Sequence, residues 1–168
     1  RIMITEQFVK ACDRVCDTLG IDSEPVGVAY LPDLPAGADI SNPIVACQAI
    51  QDARYGKVLY LHHSNSKCLG ASYFLGFEPL SERAFDFWTT NEQSLCDIPA
   101  AKQMVSSFPV PPEARNKVIA FFPARGMYHA PDVVIFVCNP LQASRLSGLH
   151  VFKHGTATRF YGYGATCQ

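Results

Sequence analysis

The chain has 168 residues, 48% of them apolar and 17% charged, with a formal net charge of −1, a balance that suits one packed domain and excludes a disordered chain. Its fourteen Lys and Arg form no run or stripe, so neither nucleic acid nor an anionic membrane surface is an expected partner. No apolar run approaches the ~20 residues that span a bilayer. The chain starts at Arg1 with no basic segment leading into an apolar core and a cleavage site, and a cytoplasmic location is expected.

In chain order, Thr5 to Leu19 places Phe8, Val9, Cys12, Val15, Cys16 and Leu19 on one stripe, which predicts an amphipathic helix closed by Gly20. Cys12 and Cys16 fall on that stripe, where core packing is the expected role and a shared metal the alternative. A strand is expected over Glu24 to Leu31, followed by a loop marked by Pro32, Pro35 and Gly37. The stretch from Pro43 to Phe77 reads as a helix ending at Gly56, a strand from Lys57 to His62, a polar turn and a second helix opening near Cys68. Cys47 then lies inside the first helix. Cys68 falls at the N-terminus of the second, where free amides and the positive dipole end favour a thiolate or the anion it binds.

Helices are expected over Ser81 to Leu95 and Ile98 to Phe108, with Cys96 between them as a structural thiol. Lys117 to Phe122 and Asp132 to Cys138 are nearly continuous apolar runs, read as two central strands of the sheet. Asn139-Pro140 is an N-cap followed by proline at N1 and starts a helix running toward Gly155. Gln142 and Arg145 share a face near its start, where they hold an anionic ligand or tie the helix to a neighbouring loop. The fold expected is a single α+β domain with a mixed sheet, built from strands near 24–31, 57–62, 117–122 and 132–138, with helices packed against it.

Seven cysteines, an odd number without tightly paired spacing, fit thiols and metal ligands in a reducing compartment better than secreted bridges. Cys47, Cys68 and Cys167 lack the compact pairs of zinc ribbons and small ferredoxins, so spacing leaves metal binding and packed thiols both open. Cys167 follows the glycine-rich run from Tyr161 to Ala165, where backbone can approach a bulky group. His62 and His63 end a strand beside Cys68 and are candidates for an imidazole ligand or proton relay. As neighbours in a strand they would point to opposite faces. No Gly-rich nucleotide loop, nucleophile elbow or zinc-protease helix motif is present, and nothing flanks Cys68 to support a Cys/His nucleophile.

The segments EPVGVAY, ACQAIQDARYGKVLYL, KCLGASYFLGF, APDVVIF, NPLQASRL and GYGATC, in this order and spacing, resemble the uncharacterised ArCR family of archaea and anaerobic bacteria. The resemblance covers about Glu24 to the C-terminus. Family members usually continue beyond the position of Gln168, so the resemblance implies a missing C-terminal segment. It also implies that Cys47, Cys68 and Cys167 are the motif cysteines, while Cys12, Cys16, Cys96 and Cys138 fall outside the pattern. With the anaerobic setting of the family, this points to an oxygen-sensitive [4Fe–4S] cluster held by those three thiolates, with a redox or Lewis-acid role and a redox partner or small anionic ligand. The competing expectation is a metal-free binding module with packed thiols and an anion held by Gln142 and Arg145.

Overall fold

The computed structural model of the chain describes residues 6–108, 113–114, 117–126 and 128–157. Its frame is four strands, β1 (Val26–Leu31), β2 (Leu59–Leu61), β3 (Val118–Pro123) and β4 (Val133–Ile135), in the order β2-β3-β1-β4. β1 runs antiparallel to β3 from Val26 opposite Pro123 to Leu31 opposite Val118. β2 pairs with β3 and β4 pairs with β1, both antiparallel. Alternation along the central pair divides its side chains between two apolar layers. Val26, Val28, Ile119 and Phe121 face one layer, together with Leu61 of β2. Ala29, Leu31, Val118, Ala120 and Phe122 face the other.

Helix α2 (Ala46–Arg54) covers the first layer through Ala49 and Ala53, both fully buried and small enough to bring the helix backbone close to the sheet. Helix α1 (Glu6–Leu19) buries Cys12, Cys16 and Leu19, and Gly20 ends it at φ 64°, a left-handed conformation that glycine adopts without penalty. Its Cys16 and Leu19 meet Phe136, Cys138 and Leu146. Leu146 belongs to α6 (Pro140–His154), which opens on Asn139 with a reciprocal capping box to Gln142 and closes at Gly155. Arg125 ties this end to the sheet, reaching Glu24 at 2.7 Å and Asp13 of α1 at 3.1 Å. The remaining helices, α3 (Leu69–Phe74), α4 (Glu82–Asp86) and α5 (Ile98–Ser106), lie in the chain between β2 and β3. α4 runs directly into a widened π turn, Phe87–Asn91, and Phe85, Trp88 and Ala101 form a separate buried cluster there.

The α+β architecture expected from the sequence is present, and two of its details are corrected. The strand ladders are antiparallel rather than mixed, and parallel pairing among the described residues is confined to the isolated bridge between Ile44 and Ser66. Continuous apolar character in β3 comes from burial on both faces, a property parallel strands usually have but do not own. The run from Asp132 to Cys138 is also not a central strand. β4 is a short edge strand with Val133 half exposed, and the central place beside β3 belongs to β1. Phe136 and Cys138 are apolar because they pack on α1, not because strands flank them.

Candidate functional site

Asn65 organises the turn after β2. It is 4% exposed, and its carboxamide oxygen accepts the His62 amide while its NH2 donates to the carbonyls of Tyr60 and Asn42. Ile44 donates its amide to the Asn65 carbonyl and accepts one from Lys67, at 2.9 and 3.1 Å. This parallel bridge aligns the two segments just before each becomes a helix. Past Ile44 the chain enters α2 at Ala46, and past Ser66 it reaches Cys68, the N-cap of α3. Cys47 lies inside α2 as expected, in its first turn, so both thiols sit at helix starts held in register. The Cys68 sulfur accepts the Ala71 amide at 3.4 Å, in the place a serine or aspartate oxygen usually takes. Cys47 is exposed and Cys68 half-buried.

Beside Cys68 opens a cavity of about 460 Å³. Val45, Leu69, Ala84, Phe87 and Trp88 give it an apolar lining, and Lys67 and Arg83 bring two cations. Among the described residues, neither cation forms an ion pair and no carboxylate lines the cavity. Gly70 is part of this wall, and a Cβ there would make a tight contact, 3.3 Å, with Cζ2 of Trp88. The chemistry assembled is thiol, cation and aromatic surface, suited to a compact anionic group with some apolar contact.

The other sequence candidates are placed as follows. His62 and His63 lie just past β2 and do not point to opposite faces. Their rings stand 4.1 Å apart with Nδ1 of His63 3.0 Å from Nε2 of His62, because the chain leaves the extended conformation at Leu61. Burial, and then the neighbouring His63, hold His62 below the usual 6.5. Gln142 is fully engaged. Its oxygen accepts the Asn139 amide, and its NH2 donates to the carbonyls of Leu19 and Gly20, so it ties α6 to the end of α1. Arg145 is exposed on the next turn. Cys167 lies outside the described residues, and among those described no group of three or more His, Cys, Asp or Glu is arranged to hold a metal.

The cysteines outside the motif divide by environment. Cys12 and Cys16 are buried, as expected of a core stripe, and burial pushes both thiols up. Cys96, expected to be structural, is exposed. None of the described cysteines is bridged. The residues missed from sequence are Lys67, Arg83, Phe87 and Trp88. Lys67 precedes Cys68 directly and the chain has one tryptophan, but no local pattern marks these residues as sharing a cavity.

Fold and site define an α+β protein whose distinctive chemistry is cysteine at helix starts, and no helix among the described residues is long and apolar enough to cross a bilayer. The chain belongs to the family described as Uncharacterised ArCR, whose profile matches residues 14–168. No match was found among curated proteins or among solved structures.

Proposed function

We propose that the protein binds a [4Fe–4S] cluster through Cys47, Cys68 and Cys167 and serves a redox or Lewis-acid role in the cytoplasm, with a redox partner or a small anionic ligand. The observation that carries the reading is the Ile44–Ser66 bridge, which holds two thiol-bearing helix starts in register. The donor set suits the group. Thiolates are its usual ligands, backbone amides at both helix starts favour negative charge, and Lys67 and Arg83 add positive charge beside Cys68. Free thiols throughout the described chain agree with a reducing compartment.

Such a cluster supplies electron transfer, or Lewis acidity where a metal position lacks a protein thiolate. The chain's own contribution is orientation. Asn65 fixes the turn, the Ala71 amide holds the Cys68 sulfur, and Trp88 with Leu69 restricts water on one side. His62 and His63, close to each other past β2, are the candidates for a non-cysteine ligand or a proton relay.

Protein purified without oxygen is expected to be brown, with iron and acid-labile sulfide in near-equal amounts. Cys68→Ser should lose more of both than Cys47→Ser, because Cys68 is the less exposed thiol and its sulfur is already held by an amide. Iron and sulfide near zero in anaerobic material removes the reading.

A further inference from the structure

We infer that the cavity beside Cys68 is a binding site for a small organic carboxylate with a compact apolar body. The walls separate into two chemistries. Leu69, Phe87 and Trp88 offer apolar surface, which an inorganic anion would leave unused, while Lys67 and Arg83 bring charge that a neutral apolar molecule would leave unanswered. A volume of about 460 Å³ falls within the range of small-molecule sites.

The local backbone is also specialised toward this cavity. Where α4 would continue, the Glu92 amide donates to the Phe87 carbonyl at 2.9 Å, five residues back. Such a turn holds more residues per revolution, so consecutive side chains project at a smaller angle, and Phe87 and Trp88 both reach the cavity. Arg83 comes from the α-helical part of the same element and Lys67 from the segment across it. The ligand's carboxylate is thus offered cations from two segments of the chain, and its body the aromatic surface. Cys68 lines the same cavity, so a cluster held there would share its space and its cations; the inference goes beyond the cluster reading and concerns the iron-free protein.

Trp88 is the chain's one tryptophan, which makes its emission a reporter of this cavity. Iron-free protein is titrated with cyclohexanecarboxylate, which is transparent where tryptophan is excited. Cyclohexanecarboxamide and acetate serve as controls, one without the charge and one without the body. A saturable change in emission is expected, with a Kd on the order of 1–10 mM, and a much weaker response to either control. Lys67→Gln and Arg83→Gln should each raise the Kd by about fivefold, the upper end for a solvent-screened ion pair. Both side chains are exposed and outside the core, so the far-ultraviolet circular dichroism should not change. An emission change that does not saturate overturns the proposal. So does an equal response to the carboxamide, or a folded double variant that binds as tightly as the parent. Iron content decides the cluster and this titration the cavity, so either can fail alone.

Discussion

Replacing Gly27 by alanine should destabilise the protein, and the structure says by how much. Gly27 lies in β1 opposite Phe122, and a Cβ there would stand 2.4, 2.7 and 3.0 Å from three ring carbons of Phe122. Ordinary carbon contacts are about 3.5–4.0 Å, so the overlap exceeds about 1 Å at the worst atom. The ring has little room to retreat. It is fully buried, with the His129 ring 5.4 Å and the Tyr128 ring 6.5 Å away, centroid to centroid. Overpacking of this kind costs about 1–3 kcal/mol, and alanine recovers about 0.5–1 kcal/mol because glycine loses more chain entropy on folding. A 2.4 Å contact belongs to the upper half of that cost, about 2–3 kcal/mol, so the net loss is about 1–2.5 kcal/mol, a fall in Tm of roughly 2–10 °C for a chain of this size. The same exchange at Gly148 has the opposite sign. That glycine sits inside α6 with no positive φ, and a Cβ there would meet nothing within 4 Å, so Gly148→Ala should add about 0.5–1 kcal/mol. Urea unfolding followed by circular dichroism measures both. Gly27→Ala as stable as the parent, or Gly148→Ala less stable, would refute the steric account.

Asn139→Ala removes the side-chain oxygen that accepts the Gln142 amide in the α6 capping box and should cost about 1 kcal/mol, read as a shift in urea midpoint without a change in slope. His62 sits below its usual 6.5 in the folded state, so the unfolded chain takes up more protons as the pH falls past that value. Its contribution to stability is therefore complete above about pH 6.5 and lost as the pH drops through the folded-state value. His62→Gln should flatten this part of the stability profile, and an unchanged slope would remove His62 as its source. In iron-free protein, iodoacetamide at neutral pH should label exposed Cys47 and Cys96 well before Cys12 and Cys16, which are buried with raised thiol pKa values. Peptide mass spectrometry gives the order, and early labelling of Cys12 in folded protein would contradict the packing of α1.

Features set by local chemistry were legible in the sequence. Asn139 and Pro140 announced α6, Gly20 and Gly155 its neighbour's end and its own, and the stripe from Phe8 to Leu19 announced α1, because caps and periodicity act within a few residues. Strand order was not legible. A run such as Asp132 to Cys138 is apolar whether its cover is a strand or a helix, and only the register with Val26 and Val28 reveals an edge. At the site, the helix N-terminus at Cys68 was visible and the one just before Cys47 was not, since its N-cap Val45 carries no capping side chain that a sequence could show. The cavity needed Lys67 and Arg83 brought together from segments separated by α3, a long-range fact that no local pattern carries.

The pairing of Leu31 with Val118 closes the chain from 32 to 117 into one excursion from two adjacent central strands. Every described residue of the proposed site lies on that excursion, along with the edge strand β2. Closing so long a loop costs entropy that grows with the logarithm of its length, and the β1–β3 ladder can repay it only after both ends have met. During synthesis β1 waits, exposed, until the chain has been extended past Val118. Helices α2 to α5 have that interval in which to form their local contacts, so the site segment should acquire its helices before the sheet that anchors it exists.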